Sequence, residues 1–297
     1  MVFEQVAMFL LFGAAGFVLG KTKTVNTEHS KILSVLTVYL LFPCNILKTY
    51  ITNFNAGYIS QKYGFILVSA GVIAVLIIFS RSVAGLFSKH PYQRRVYEYS
   101  ILFSNSGYMG YPLMEALFGE KMLLDMMVFS IPVTTCIYTL GFCSLTKRKL
   151  NGKNLLNPAA FAIVTGMILG LLQVKLPGFV MKAFSSASGC LGPVTMLLAG
   201  ITVSQFEIKR MVLDCKVYLA SGLRLLVIPL AVATTLSLIG LEKYALVAGF
   251  LYAMPCGLNA VVFPKLVNED CSVGAAIAFV STVLSCLTIP IVVGLIG

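Results

Sequence analysis

Long apolar stretches separated by short polar ones run the length of the chain. A helix needs about 20 mostly apolar residues to cross a hydrocarbon core about 30 Å thick. Applied along the sequence, that length predicts about ten spans, at residues 2–20, 31–50, 64–87, 97–118, 122–145, 158–175, 178–203, 217–239, 244–265 and 272–296. Two of them are interrupted. Segment 100–119 (SILFSNSGYMGYPLMEALFG) carries Asn105, Gly107, Gly110 and Pro112 near its middle, and segment 246–266 (LVAGFLYAMPCGLNAVVFPKL) breaks around Met254 to Asn259. In lipid every backbone N–H and C=O needs a partner inside the protein, so a broken helix survives only where it is buried or lines a cavity. Interrupted spans at corresponding places in the two halves of a chain point to a transporter binding site.

The polar connections set the expected orientation. Lys21, Lys23, Arg94, Arg95, Lys147, Arg148 and Lys149 lie in odd-numbered connections, which hold most of the 22 Lys and Arg. Basic loops stay in the cytoplasm, so both termini are expected outside. The first run begins with Glu4 and is followed by Lys21 and Lys23, the reverse of a cleavable signal, and is read as a span. The most basic connection, 146–157 (TKRKLNGKNLLN), divides five spans from five. The expected organisation is therefore one membrane domain over residues 1–297, with a first five-helix repeat at 1–145, a short cytoplasmic linker at 146–157 and a second, inverted repeat at 158–297. Pro43 and Pro193 fall at matching places in the second and seventh spans.

Composition agrees with the pattern. Of 297 residues, 58% are hydrophobic and 11% charged, against about 25% charge in soluble domains, and the mean hydropathy is +0.92. The fold class expected is an all-α integral membrane protein. The net charge of +11 sits in loops between apolar runs rather than on a soluble face, which argues against nucleic acid. The eight cysteines form no CxxC pair and read as free thiols. His29 and His90 lie in loops outside any HExxH pattern, so no metal or cofactor is expected. GYMG lacks the strand and the lysine of a nucleotide loop, and no GxSxG elbow occurs, so no catalytic residue is assigned.

The candidate chemistry gathers at the two breaks. Gly110 and Pro112 are expected to start the second half of the fourth span, and Pro255 with Cys256 the second half of the ninth. Each half-helix N-terminus, equivalent to roughly half a positive charge, would attract an anion there. Asn105 and Asn259 are the polar side chains nearest the breaks and either donate to a carboxylate or cap the broken ends. Ser104, Ser106, Tyr108 and Tyr111 add donors or packing, and Gly107 adds backbone access. Asn45 beside Pro43, with Ser185, Ser186, Ser188 and Pro193, forms a weaker set that reads mainly as close helix packing. Glu115, Asp125 and Ser104 are candidates for an ion-coupling role, the ion being a proton or sodium, although Glu115 and Asp125 also read as interface acids. Arg224, inside the eighth span, either attracts an anion, pairs with an acid or snorkels to the cytoplasmic headgroups, the last being the main expectation.

Five stretches, NSGYMGYPLMEALFGE at 105–120, LLFPCNIL at 40–47, CLGPVTMLLAG at 190–200, LRLLVIPL at 223–230 and AMPCGLNAVVF at 253–263, resemble in order the auxin efflux carrier family. That family includes plant PIN-type auxin exporters and bacterial malate-permease-like carriers. The resemblance implies ten helices as two inverted repeats, similar to the bile acid:sodium symporters. It also implies broken helices four and nine crossing at Pro112 and Pro255, with Asn105 and Asn259 meeting a substrate carboxylate. Only 146–157 stands where many plant members carry a long hydrophilic loop, which favours the short bacterial type.

The function expected is a permease moving a small organic anion, a carboxylate, across the plasma or inner membrane by alternating access. The alternatives are a sodium-coupled symporter of a bulkier amphipathic acid and a non-transporting membrane receptor. Expected partners are the anion, the lipid bilayer and, compatible with this class, a second copy of the chain.

Overall fold

The computed structural model describes residues 2–25, 27–149, 158–205 and 213–296. Most of the expected linker, 150–157 with Lys153, and the basic residues Lys209 and Arg210 lie outside the described residues. Among the described residues the chain is all helical apart from one isolated bridge, so the protein is an all-helical integral membrane protein.

The helices in chain order are α1 (Val2–Lys21), α2 (Thr27–Leu36), α3 (Phe42–Asn53), α4 (Ala56–Lys62), α5 (Gly64–Phe87), α6 (Pro91–Leu102), α7 (Tyr111–Cys136) and α8 (Phe142–Thr146). They continue with α9 (Pro158–Leu171), α10 (Gly178–Ser204), α11 (Cys215–Gly222), α12 (Ile228–Leu238), α13 (Glu242–Ala253), α14 (Asn259–Lys265) and α15 (Ser272–Ile296). Among the described residues seven helical elements are long and apolar enough to cross a membrane. The longest, Ser106–Thr146, takes in the second half of the expected fourth span and all of the fifth. Its course bends at Gly119, whose φ of +80° and ψ of 176° belong to a region only glycine enters cheaply. Pro158–Leu171 is apolar but shorter, and the expected fourth and ninth spans are interrupted helices.

Proline explains three of the changes of pitch, the π-turn at Ile137–Gly141 having no proline directly after it. A proline removes one i→i−4 hydrogen bond and its ring crowds the carbonyl four residues back. Wider π-turns relieve that crowding at Thr37–Leu41, Ser106–Gly110 and Leu223–Val227, each ending two residues before Pro43, Pro112 or Pro229. The chain thus passes each proline as one continuous helix.

Two bundles result. The first comprises α1, α2, α3, α9 and α10, and the second α5 to α8 with α11 to α15. In a lipid environment apolar side chains gain little by leaving the solvent, so helices associate through close backbone approach at small residues. The α1–α10 seam follows this rule: a Cβ at Gly200 would stand 1.9 Å from the Gly13 carbonyl oxygen, and one at Gly16 2.1 Å from that of Leu197. The α3–α9 seam is similar, a Cβ at Gly170 falling 2.6 Å from the carbonyls of Tyr50 and Phe54. The largest buried side chains of the second bundle include Arg224, Phe129, Phe250 and Tyr252.

Candidate functional site

The interrupted helices meet. α6 stops at Leu102 and helix resumes at Ser106, while α13 stops at Ala253 and α14 starts at Asn259. Across the gap Ser104 and Cys256 pair in an antiparallel bridge. The Asn105 N–H donates to the Pro255 carbonyl at 2.8 Å and the Gly257 N–H to the Phe103 carbonyl at 3.1 Å. The Cys256 N–H donates to Ser281 Oγ on α15 at 3.0 Å. The freed backbone groups therefore satisfy one another across the crossing, as a dry interior demands. Gly110 allows the close approach, since a Cβ there would fall 2.8 Å from Met126 Cε and 3.1 Å from Met254 Cγ.

The starting points of the second halves differ from those expected. The fourth-span break lies at residues 103–105, earlier than Gly110 and Pro112, because the π-turn carries helix straight through both. Pro255 stands inside the ninth-span break, four residues before α14, and its carbonyl serves as the acceptor for Asn105.

Two helix N-termini, at Ser106 and Asn259, open on one cleft of about 60 Å³. Its lining includes Asn105, Ser106, Gly107, Gly257, Leu258 and Asn259 from the crossing, with Tyr99 and Ser104 below them. Phe42, Tyr108, Tyr111, Thr134, Ile137, Tyr138 and Ala159 form the remaining wall. Phe42 stacks on Tyr111 at 5.8 Å between ring centroids and meets Tyr108 edge-on at 5.7 Å. Among the described residues no charged side chain lines the cleft. The first N–H groups of a helix have no acceptor a full turn back; those of Ala260 and Val261 are taken by the Gly257 and Leu258 carbonyls, and the two ends still add a positive field. Asn105 is buried and its side chain makes no capping hydrogen bond, so the amide is left to the cleft while its carbonyl accepts from Met109 and Gly110. Asn259 is half-buried beside Tyr99 and Tyr138. The arrangement can hold an anionic oxygen by backbone and amide donors without a counter-charge.

Arg224 does not snorkel. It is 0% exposed, and its guanidinium donates from Nε to the Met254 carbonyl at 3.2 Å and from Nη1 to the Ile101 carbonyl at 2.5 Å. Both carbonyls belong to the C-terminal ends of the first half-helices, whose dipoles are negative there. The guanidinium gains more from these two ends than it would from a distant headgroup layer.

The other expected residues sit elsewhere. Asn45 does not line the cleft: its amide donates to Ser188 Oγ at 2.7 Å and to Glu115 Oε2 at 3.2 Å. Lys48 lies between Glu115, at 2.8 Å, and Glu120, at 2.7 Å. Asp125 pairs with Lys62 at 2.7 Å and accepts from the Tyr58 hydroxyl at 2.7 Å. Of the coupling candidates, Ser104 alone is at the crossing. Pro112 packs near Gly192 of α10, and Cys256 forms part of the bridge. Ser185 and Ser186 are exposed. Phe42, Tyr99, Thr134 and Tyr138 were not anticipated in the site, and only Phe42, next to Pro43, carries a local sequence signal.

The sequence matches a family described as membrane transport protein over residues 1–154 and 142–293. It is 26% identical to an uncharacterised transporter of Methanocaldococcus jannaschii, with 96% of each chain covered. It is 27% identical to an uncharacterised transporter of Methanothermobacter thermautotrophicus over 63% of each chain.

Proposed function

The chain belongs to the membrane transport protein family, the auxin efflux carrier group that its motifs resemble, and on that premise we propose that it carries a small organic anion across the cell membrane by alternating access. It is a multi-pass membrane transporter rather than an enzyme. The finer reading is ten crossings in two inverted repeats, 1–145 and 158–297, joined by a cytoplasmic linker at 146–157, with both termini outside.

One observation carries the proposal: the N-terminal ends of two broken helices open on one uncharged cleft together with the Asn105 and Asn259 side chains. A carboxylate accepts hydrogen bonds only, and here it meets donors from N–H groups, amides and lining hydroxyls such as those of Ser106, Thr134 and Tyr138. The cleft is well below the about 300 Å³ of a full ligand pocket. It suits a carboxylate headgroup, with the substrate body lying along Phe42, Tyr108 and Tyr111. A single donor cluster favours monocarboxylates over dicarboxylates. Transport would carry the cleft from one face to the other by shifting the second bundle against the first. The driving energy comes from the substrate gradient, the membrane potential or a coupled ion, for which Glu115, paired with Lys48, and Asp125, paired with Lys62, are the candidate residues away from the crossing.

Thermal unfolding of the purified protein against a panel of mono- and dicarboxylates tests this reading. A ligand that binds only the folded state raises the unfolding temperature. The expected result is a rise with small monocarboxylates that is weaker with their amides. No rise with any carboxylate, or an equal rise with the uncharged amides, would contradict it.

A further inference from the structure

The crossing brings four half-helix ends together and sorts them by charge. The positive N-terminal ends, at Ser106 and Asn259, open on the cleft, while the negative C-terminal ends, at Ile101 and Met254, turn to Arg224. Carbonyl oxygens gathered at broken helices are the ligands from which membrane carriers build alkali-cation sites, because a hard cation takes oxygen donors. In this chain the two carbonyls are already used by a guanidinium.

No aspartate or glutamate pairs with Arg224 among the described residues. Its third nitrogen, Nη2, is buried without a hydrogen-bond partner. The hydroxyls of Tyr252 and Ser104 are likewise buried and unpaired. A buried charge with no counter-ion is retained only where fixed dipoles replace one. The π-turn Leu223–Val227, which Pro229 requires, presents Arg224 to the crossing, so the cation comes from a third helical element, the α11–α12 run.

We infer that Arg224 is a positioning residue that serves as the built-in cation of the crossing. It clamps the carbonyl ends of both broken helices, leaves their amide ends free for the anion, and occupies the place where a transported sodium or potassium ion would bind. This deepens the anion-carrier reading and rests on it. Its consequence is that the carrier harvests no alkali-cation gradient, so any coupled ion is neither sodium nor potassium.

The test compares purified wild-type protein with Arg224→Ala, Arg224→Lys and Arg224→Met at constant ionic strength in choline, sodium, potassium or low-millimolar guanidinium chloride. Thermal unfolding is the first readout, because it does not depend on knowing the substrate, and counterflow of a labelled carboxylate in proteoliposomes is the second. Wild-type unfolding and counterflow should be the same in choline, sodium and potassium. Arg224→Ala should unfold several degrees lower and lose counterflow, and guanidinium, entering the vacated space, should restore part of both where choline does not. Arg224→Lys, which keeps the charge, should remain folded and cation-insensitive even if Arg224→Ala does not fold. A wild-type unfolding temperature or counterflow rate raised selectively by sodium or potassium would overturn the inference. So would Arg224→Met matching wild type in both readouts, or Arg224→Lys failing to fold where Arg224→Met folds. Absence of counterflow in wild type would count against the anion-carrier reading, while the unfolding series would still decide the role of Arg224.

Discussion

Asn105 and Asn259 are the residues through which the cleft would recognise a carboxylate, and they differ in setting. Asn105 is held by its own backbone, its N–H bonded to Pro255 and its carbonyl to Met109 and Gly110, so the side chain is positioned without spending its amide. Replacing either asparagine by alanine should leave the fold intact and weaken carboxylate binding by about 1–3 kcal/mol, roughly 5- to 150-fold, measured by ligand-dependent thermal shift. An unchanged shift would remove that residue from the site. The position of both asparagines beside the helix breaks was legible in the sequence, because Gly and Pro mark the interruptions and the asparagines are the polar side chains nearest them. Arg224 was not. Its partners are backbone carbonyls 30 and 123 positions away, and carbonyls carry no residue signature. Lys48 was hidden for a similar reason: read alone it is a basic residue at the end of a span, and only the fold brings Glu115 and Glu120 to it.

Among the helices, the two broken ones and the glycine seams decide the architecture. Pro112 and Pro255 marked the right spans, but the break in the first lies at 103–105, because a π-turn absorbs a proline without ending a helix. Sequence spacing registers that a proline is present and is blind to the pitch around it. The missing Pro112 N–H leaves the Tyr108 carbonyl short of a donor, and the Thr195 hydroxyl of α10 lies 2.9 Å from that oxygen. Pro112→Ala supplies the donor from within the helix and so removes the reason for the π-turn. It should reduce transport while expression and unfolding temperature stay near wild type, as measured by counterflow and thermal unfolding; equal loss of all three would make the proline purely structural. At the α1–α10 seam, Gly200→Ala drives a methyl group into the Gly13 carbonyl, 1.9 Å away. It should cost at least about 1–3 kcal/mol. Gly294→Ala, which meets nothing within 4 Å, should cost none. Unfolding temperatures of the two variants check the contrast.

At the scale of the whole molecule, two bundles face each other and polar ties join them where Lys48 and Asn45 of α3 meet Glu115 of α7, Asn45 also donating to Ser188 of α10 within the first bundle. If the second bundle moves against the first, this cluster must open in each cycle. A double-mutant cycle of Lys48→Met with Glu115→Gln, read by thermal unfolding, should give a coupling of about 0.5–3 kcal/mol. A coupling near zero would show that the pair does not hold the bundles together. The all-helical membrane class and the two interruptions were visible in the pattern of apolar and polar residues, which lipid constrains strongly. Division into bundles was not, because it depends on which apolar faces meet. The account stands on two helix breaks that together receive a carboxylate, and counterflow of a labelled small monocarboxylate in sealed proteoliposomes tests it most directly. Wild type should accumulate the label, and Asn105→Ala/Asn259→Ala, with an unchanged unfolding temperature, should not. Equal accumulation by the double variant, or no movement of any carboxylate by wild type, would contradict the account.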